Sequence, residues 1–134
     1  NPATGEVQAR VPLASRGEMD RAVRAAAEAQ GKWAAVNPQR RARVMMRFVD
    51  LLNRDMDKLS EALSREHGKT LPDAAGDVQR GLEVVEFCIG APHLLKGEYT
   101  DGAGPGIDMY SMRQPLGVTA GITPFNFPAM VPLW

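Results

Sequence analysis

The feature that most restricts the fold is a short, largely apolar run, Val118 to Ile122, that leads straight into Thr-Pro-Phe-Asn-Phe-Pro at 123–128. A short buried strand that passes through a tight turn into a proline-started helix is typical of the beginning of an α/β nucleotide-binding domain. The sequence therefore predicts an α/β fold, with a strand over 118–122 and a helix from Pro128. No G-x-G-x-x-G follows the strand, which excludes an ordinary dinucleotide fingerprint.

Asn126 is the polar residue of this turn, and two aromatic residues and two prolines stiffen the backbone around it. A side-chain amide held in this way is a suitable donor to an oxyanion that forms when a carbonyl is attacked. Alternatively, Asn126 caps the helix from Pro128 or satisfies amides within the turn. Spacing alone leaves both interpretations open.

Four helices are predicted upstream of the turn. Ser15 and Glu18 have capping-box spacing at the start of the first helix, which reaches Trp33. Asn37 followed by Pro38 begins the second. The third runs from about residue 55 to 67 and stops at Gly68, and the fourth runs from about 72 to 95.

Three glycines, Gly76, Gly81 and Gly90, lie within the fourth helix. Each costs about 1 kcal/mol relative to alanine, so a second element is expected to pack close to this helix backbone. Pro92 is expected to kink or end the helix.

From Gly97 onward the helical pattern ends, and residues typical of turns and strands follow. Glycines and a proline over 97–106 predict a turn-rich linker, and 107–113 reads as an exposed strand. Pro115 suits a strand edge or a crossing between sheets more than a central strand.

Charge and cysteine content narrow the function classes. Lys+Arg and Asp+Glu are both 16 in 134 residues, so the formal net charge is +0, which argues against a dedicated nucleic-acid binder. A single cysteine excludes an internal disulfide framework and fits a reducing compartment. No signal peptide or membrane-spanning run is evident. Neither Asn1 nor Trp134 looks like a natural terminus, so a longer chain is expected.

Cys88 and the two histidines are interpreted as structural. Cys88 lies on the predicted fourth helix, and no histidine or helix start near it in sequence would activate the thiol. His67 and His93 have no partner at metal-ligand spacing, so no metal site is predicted.

Three motifs resemble the aldehyde dehydrogenase superfamily, in the same order and with similar spacing. They are Asn-Pro-Ala-Thr-Gly-Glu at 1–6, Glu-His-Gly-Lys at 66–69 and Thr-Pro-Phe-Asn-Phe-Pro at 123–128. Within the superfamily, the segments 81–87, 92–98, 104–110 and 127–132 are similar to methylmalonate-semialdehyde dehydrogenase, and phenylalanine at position 125 points the same way. The resemblance covers essentially the whole chain.

The resemblance implies the N-terminal part of the aldehyde dehydrogenase fold. Residues 1–98 would be the N-terminal helical part of the NAD-binding domain, and residues 99–116 a linker and oligomerisation-sheet segment. Residues 117–134 would hold the first strand, the oxyanion turn and the helix start of a Rossmann-like core.

The resemblance also implies site residues. Asn126 would be the oxyanion donor, and Thr123, Pro124 and Phe125 would lie beside NAD. Arg80 would hold the substrate carboxylate, for which a guanidinium offers a bidentate fork, and Gly81 beside it would leave room for a ligand. The alternative for Arg80 is a surface ion pair with Asp77 or Glu83.

The implied function belongs to a longer protein, because the nucleophilic cysteine would follow Trp134 and this stretch alone would be inactive. The reaction is NAD-dependent, CoA-acylating oxidation of malonate or methylmalonate semialdehyde to acetyl-CoA or propionyl-CoA, as in valine and inositol catabolism. A homo-oligomer (a dimer of dimers) in bacterial cytoplasm or the mitochondrial matrix is implied. The rivals are a CoA-independent aldehyde dehydrogenase and a non-catalytic interaction module.

Overall fold

The computed structural model describes all residues from Asn1 to Trp134. Helices form most of the ordered structure, and one two-stranded hairpin lies between the fifth helix and the last. In chain order the elements are α1 (Arg16–Ala34), α2 (Pro38–Arg54), α3 (Met56–His67), α4 (Leu71–Ile89), α5 (Ala91–Leu94), β1 (Tyr99–Gly104), β2 (Ile107–Tyr110) and α6 (Met130–Leu133).

The predicted helix ends are confirmed where a local capping signal marks them. At the start of α1, the Ser15 N–H donates to Glu18 Oε2 (2.6 Å), and Ser15 Oγ accepts from the Glu18 N–H (3.3 Å). The hydrogen bonds from Ser15 to the Glu18 carboxylate hold the pKa of Glu18 below its usual value. Asn37 Oδ1 accepts from the Gln39 N–H (2.9 Å) at the start of α2. Gly68 ends α3 in the left-handed conformation, with φ +87°.

Helix α4 is the centre of the core, and α2, α3 and α6 pack around it. Leu82 and Val85 of α4 are buried against Leu52 of α2, while Val78 is buried against Leu63 of α3. The fourth helix is shorter than predicted, because Gly90 ends it and α5 follows as a separate turn that contains Pro92.

The prediction of a turn-rich linker over 97–106 is wrong for residues 99–104, which form β1. This strand pairs antiparallel with β2, and Tyr99 lies opposite Tyr110. The strand predicted over 107–113 is present but ends at Tyr110. Asp108 accepts hydrogen bonds from the Gly102 N–H and the Tyr99 hydroxyl, each 2.9 Å. These bonds lower the pKa of Asp108, and the bond to Asp108 raises the pKa of Tyr99.

The strand predicted over 118–122 is absent from the structure, where these residues are exposed and pair with no strand. A strand of a parallel sheet is stabilised by neighbouring strands and by helices on both faces, and no other strand of this chain lies beside it. The helix predicted from Pro128 begins instead at Met130, as the single turn α6. None of the helices combines the length and the apolar character that crossing a membrane requires.

Candidate active site

The turn that carries Asn126 is held against the middle of α4 by the short helix that follows it. A Cβ atom added to Gly81 would lie 3.2 Å from Met130 Cα and 2.5 Å from Leu133 Cδ1. The close packing expected from the helix glycines is therefore found at Gly81, whereas a Cβ at Gly76 would meet nothing within 4 Å. The expectation that Gly81 leaves room for a ligand is wrong, because α6 fills that space.

Asp77, one turn before Gly81 on α4, is the polar anchor of the same junction. Its side chain is 1% exposed, and its two oxygens accept from two different donors. The Met130 N–H donates to Oδ1 (2.7 Å), and Lys69 Nζ donates to Oδ2 (2.8 Å). A buried carboxylate requires such partners, because an unpaired one would bear the full cost of desolvation.

Lys69, the last residue of the Glu-His-Gly-Lys motif, contacts both Asp77 and the turn. Its Nζ lies 4.4 Å from the centre of the Phe127 ring, within range of a cation–π interaction. The motif at 66–69 and the motif at 123–128 are thus in contact, although more than fifty residues separate them. The two motifs are therefore parts of one structural junction.

The role of Asp77 was missed at the sequence level, where it was considered only as an ion-pair partner of Arg80. A signal was nevertheless present. Asp77 falls among Ala74, Val78 and Gly81, which form the buried face of α4. A carboxylate at a core position is rarely tolerated without a partner, so its position on the apolar face indicates a specific contact.

Asn126 is exposed, and its side chain makes no hydrogen bond within the chain. It does not cap the following helix, because Ala129 is the N-cap residue of α6 and no side chain caps it. The capping alternative is therefore wrong, and the amide N–H₂ group remains available to a ligand. Phe127, the next residue, accepts from the Val131 N–H (3.3 Å) and so links the turn to α6.

Thr123, Pro124 and Phe125 are also exposed and precede the anchored part of the turn. The ring of Phe125 is 87% exposed and lines a hollow of about 440 Å³ with Leu63, His67 and Ala129 as neighbours. Thr123 offers a hydroxyl that makes no hydrogen bond within the chain, and Phe125 offers a largely exposed apolar face.

Arg80 is exposed on α4 and forms no ion pair. Asp77 is engaged by Lys69, and Glu83 accepts instead from Gln79 Nε2 (3.2 Å), so the surface ion pair considered for Arg80 does not form. Arg80 and Phe127 line the same polar cleft of about 380 Å³. The structure thus places Arg80 beside the turn that carries Asn126, while Phe125 lines a different hollow.

Cys88 is half-buried on α4 and takes no part in this junction. It lines an apolar hollow with Trp33, Met45 and Pro92, at the far end of α4 from Asp77. No group of three or more His, Cys, Asp or Glu side chains is arranged to hold a metal ion.

Comparison with known proteins places this geometry in a family. The model of the Aldehyde dehydrogenase family matches residues 1–134. The malonate-semialdehyde dehydrogenase of Pseudomonas aeruginosa is 52% identical over 134 residues, which cover 100% of this chain and 27% of that protein. A probable methylmalonate-semialdehyde/malonate-semialdehyde dehydrogenase (acylating, mitochondrial) of Dictyostelium discoideum is 48% identical, with 25% of its length covered.

A solved structure gives the same answer for the fold. The crystal structure of a protein from Sinorhizobium meliloti 1021, described as a methylmalonate-semialdehyde dehydrogenase and complexed with NAD, superposes with a TM-score of 0.94 at 68% identity. The match covers 100% of this chain and 27% of that one. The chain therefore belongs to the aldehyde dehydrogenase family, and its helices and small sheet match the N-terminal part of that fold. It spans about a quarter of the length of these relatives.

Proposed function

We propose that the full-length protein oxidises malonate or methylmalonate semialdehyde with NAD and transfers the acyl group to CoA, yielding acetyl-CoA or propionyl-CoA with loss of the carboxylate as CO₂. The observation that carries the proposal concerns Asn126. Its side-chain amide is exposed and makes no hydrogen bond within the chain, and it lies on a turn that is anchored to the core through Met130. Relatives at about 50% identity named for these semialdehydes support the choice of substrate.

In this reaction a cysteine thiolate from outside these residues adds to the aldehyde carbon, and the carbonyl oxygen becomes an oxyanion. The Asn126 amide donates to that oxygen, where a preorganised donor stabilises the transition state more than the ground state. NAD, when bound, would take the hydride that leaves the same carbon, so that the acyl group remains on the cysteine as a thioester. The carboxylate of this acyl group then leaves as CO₂ while the α-carbon takes up a proton, and the CoA thiol takes the acyl group and returns the cysteine. Thr123, Pro124 and Phe125 hold one side of the nicotinamide ribose.

The test of this function is the response of the full-length enzyme to CoA. With malonate semialdehyde and NAD, steady-state NADH formation is expected to rise with CoA concentration and to yield an acyl-CoA product detectable by mass spectrometry. NADH formation that is indifferent to CoA, with a free acid as product, would instead assign a CoA-independent aldehyde dehydrogenase. Absence of NAD binding would favour a non-catalytic module.

Arg80 is proposed as the anchor of the substrate carboxylate, because it lies free of ion pairs in the cleft beside Phe127. Arg80→Ala is expected to lower kcat/KM for malonate semialdehyde by about 10- to 100-fold, the range for a lost charge-assisted hydrogen bond. Propanal, which has the same carbon count but no carboxylate, should lose no more than about threefold, since only the group that Arg80 binds is missing.

The matched control for Arg80 is Arg24→Ala, which removes an exposed arginine from α1. Both substrates should react with this variant as with the unaltered enzyme. An Arg80→Ala variant that loses malonate semialdehyde and propanal activity equally would contradict the carboxylate role and point to a general effect on the fold.

The β1–β2 hairpin is proposed to contribute to a homo-oligomer, a dimer of dimers. Both strands are exposed, and they present Tyr99, Ile107, Met109 and Tyr110 to solvent. Apolar side chains of this size on an open two-stranded sheet favour pairing with another surface. Charged substitutions at Ile107 and Met109 are expected to lower the mass of the full-length assembly measured by light scattering. If the substituted protein kept the mass of the unaltered one, the hairpin would not be part of the contact between subunits.

A further inference from the structure

One side chain ties the catalytic turn to the helical core by hydrogen bonding. Residues 112–134 make no other hydrogen bond to the rest of the chain than the one from the Met130 N–H to Asp77 Oδ1. That bond spans 53 residues of sequence, whereas every other hydrogen bond involving a side chain spans 13 or fewer. This carboxylate is therefore the one hydrogen-bonded link between the turn and α4, and it acts beside the packing of Met130 and Leu133 on Gly81.

Stability alone is a weak explanation for a carboxylate and an ammonium group at this place. Buried ion pairs often contribute no more than an apolar pair of similar volume, because desolvation offsets their attraction. The side chains of Asp77 and Lys69 are only 1% and 15% exposed. What an apolar pair could not supply is direction, since a carboxylate oxygen fixes both the distance and the angle of the Met130 N–H.

The contacts continue from this anchor to Phe127, the residue next to Asn126. Met130 begins α6, and the Val131 N–H donates to the carbonyl of Phe127, the residue directly after Asn126. On the other side, Lys69 Nζ contacts both Asp77 and the Phe127 ring. The backbone on one side of Asn126 is thus held from two directions.

We propose that Asp77 and Lys69 are positioning residues for the oxyanion donor: together they set where the Asn126 amide lies relative to the attacked carbonyl. This proposal rests on the oxyanion role of Asn126 given above. A displacement of about 1 Å in a catalytic group can cost about 100-fold in rate, so a positioning role has a measurable consequence. Both residues also line the cleft that holds Arg80, so the cycle with Asn126 is needed to separate a positioning effect from an effect on substrate binding.

A double-mutant cycle on the full-length enzyme tests the proposal. Asp77→Ala is expected to lower the single-turnover rate of NADH formation by about 10- to 100-fold with little change in the aldehyde KM. Asp77→Asn keeps an oxygen that can accept from Met130 and should recover part of that loss. In the Asn126→Ala background, Asp77→Ala should cause no further loss, because the donor it positions is gone.

The control is Glu86→Ala, which removes an exposed carboxylate from the same helix and should change the rate by no more than about twofold. Multiplying effects in the Asp77/Asn126 double variant would overturn the positioning role, whether or not Asp77→Ala also lowers the thermal midpoint. Equal losses in Asp77→Asn and Asp77→Ala would do the same. If Asn126→Ala retained full activity, the oxyanion assignment itself would fall and the positioning role with it.

Discussion

Replacing Asn126 with alanine in the full-length enzyme is expected to slow acylation by about 100- to 1,000-fold, the range found when one oxyanion donor is removed. The loss should appear in kcat and leave KM nearly unchanged, because the amide meets its partner only as negative charge develops on the oxygen. The exposed state of Asn126 supports this expectation, since the substitution would break no side-chain hydrogen bond within the chain.

The measurement is the pre-steady-state burst of NADH with malonate semialdehyde, together with the affinity for NAD from fluorescence titration. Asn53→Ala is the matched control, because Asn53 is also exposed but donates only to the Val49 carbonyl on α2. Retention of NAD affinity would show that the Asn126 variant is folded. A burst rate within about threefold of the unaltered enzyme would rule out the oxyanion role.

Gly81→Ala and Gly76→Ala are expected to change stability in opposite directions, although both place alanine in the same helix. At position 76 the added methyl group meets open space, so the higher helix propensity of alanine should stabilise the protein by up to about 1 kcal/mol. At position 81 the methyl group would overlap Leu133 and press on the Met130 backbone. Overpacking of this kind costs about 1–3 kcal/mol. Because that cost is larger than the gain in helix propensity over most of this range, Gly81→Ala should destabilise the protein.

Thermal unfolding of the two full-length variants, compared with the unaltered enzyme, measures this difference. Gly81→Ala should also lower kcat, because relief of the overlap moves α6 and with it the turn that carries Asn126. Gly76→Ala should leave kcat unchanged. Equal midpoints for the two variants would mean that α6 adapts without cost, and the close approach at Gly81 would then have no role in fixing the site.

The parts of the fold that were predictable from sequence are those specified by neighbouring residues. Ser15 with Glu18 and Asn37 with Pro38 specify helix starts, and Gly68 specifies a helix end, because a cap satisfies amides or carbonyls only a few positions away. The turn itself offered Asn126 as a candidate oxyanion donor, and the family resemblance favoured that role and added Arg80. Their roles remain predictions, although the structure removes the capping and ion-pair alternatives.

The parts that were not predictable depend on partners distant in sequence. The run 118–122 is apolar enough for a buried strand, but a strand needs neighbours, and its hydrogen-bonding groups find none in this chain. Residues 99–104 carry two glycines that indicate turns, yet pairing with β2 and the bonds of Asp108 make them a strand. The partner of Asp77 lies 53 residues away, beyond the reach of any local pattern.

The long separation between Asp77 and Met130 also sets an order of events during synthesis. At about 5–20 residues per second, the ribosome adds Met130 roughly 3–10 seconds after Asp77, a long time compared with helix formation. We expect α2, α3 and α4 to have packed by then, before the Met130 N–H reaches Asp77. Protease resistance of nascent chains stalled directly before Met130 would measure this. The turn then docks onto helices that have already packed, so a packing error among α2, α3 and α4 would also displace the turn.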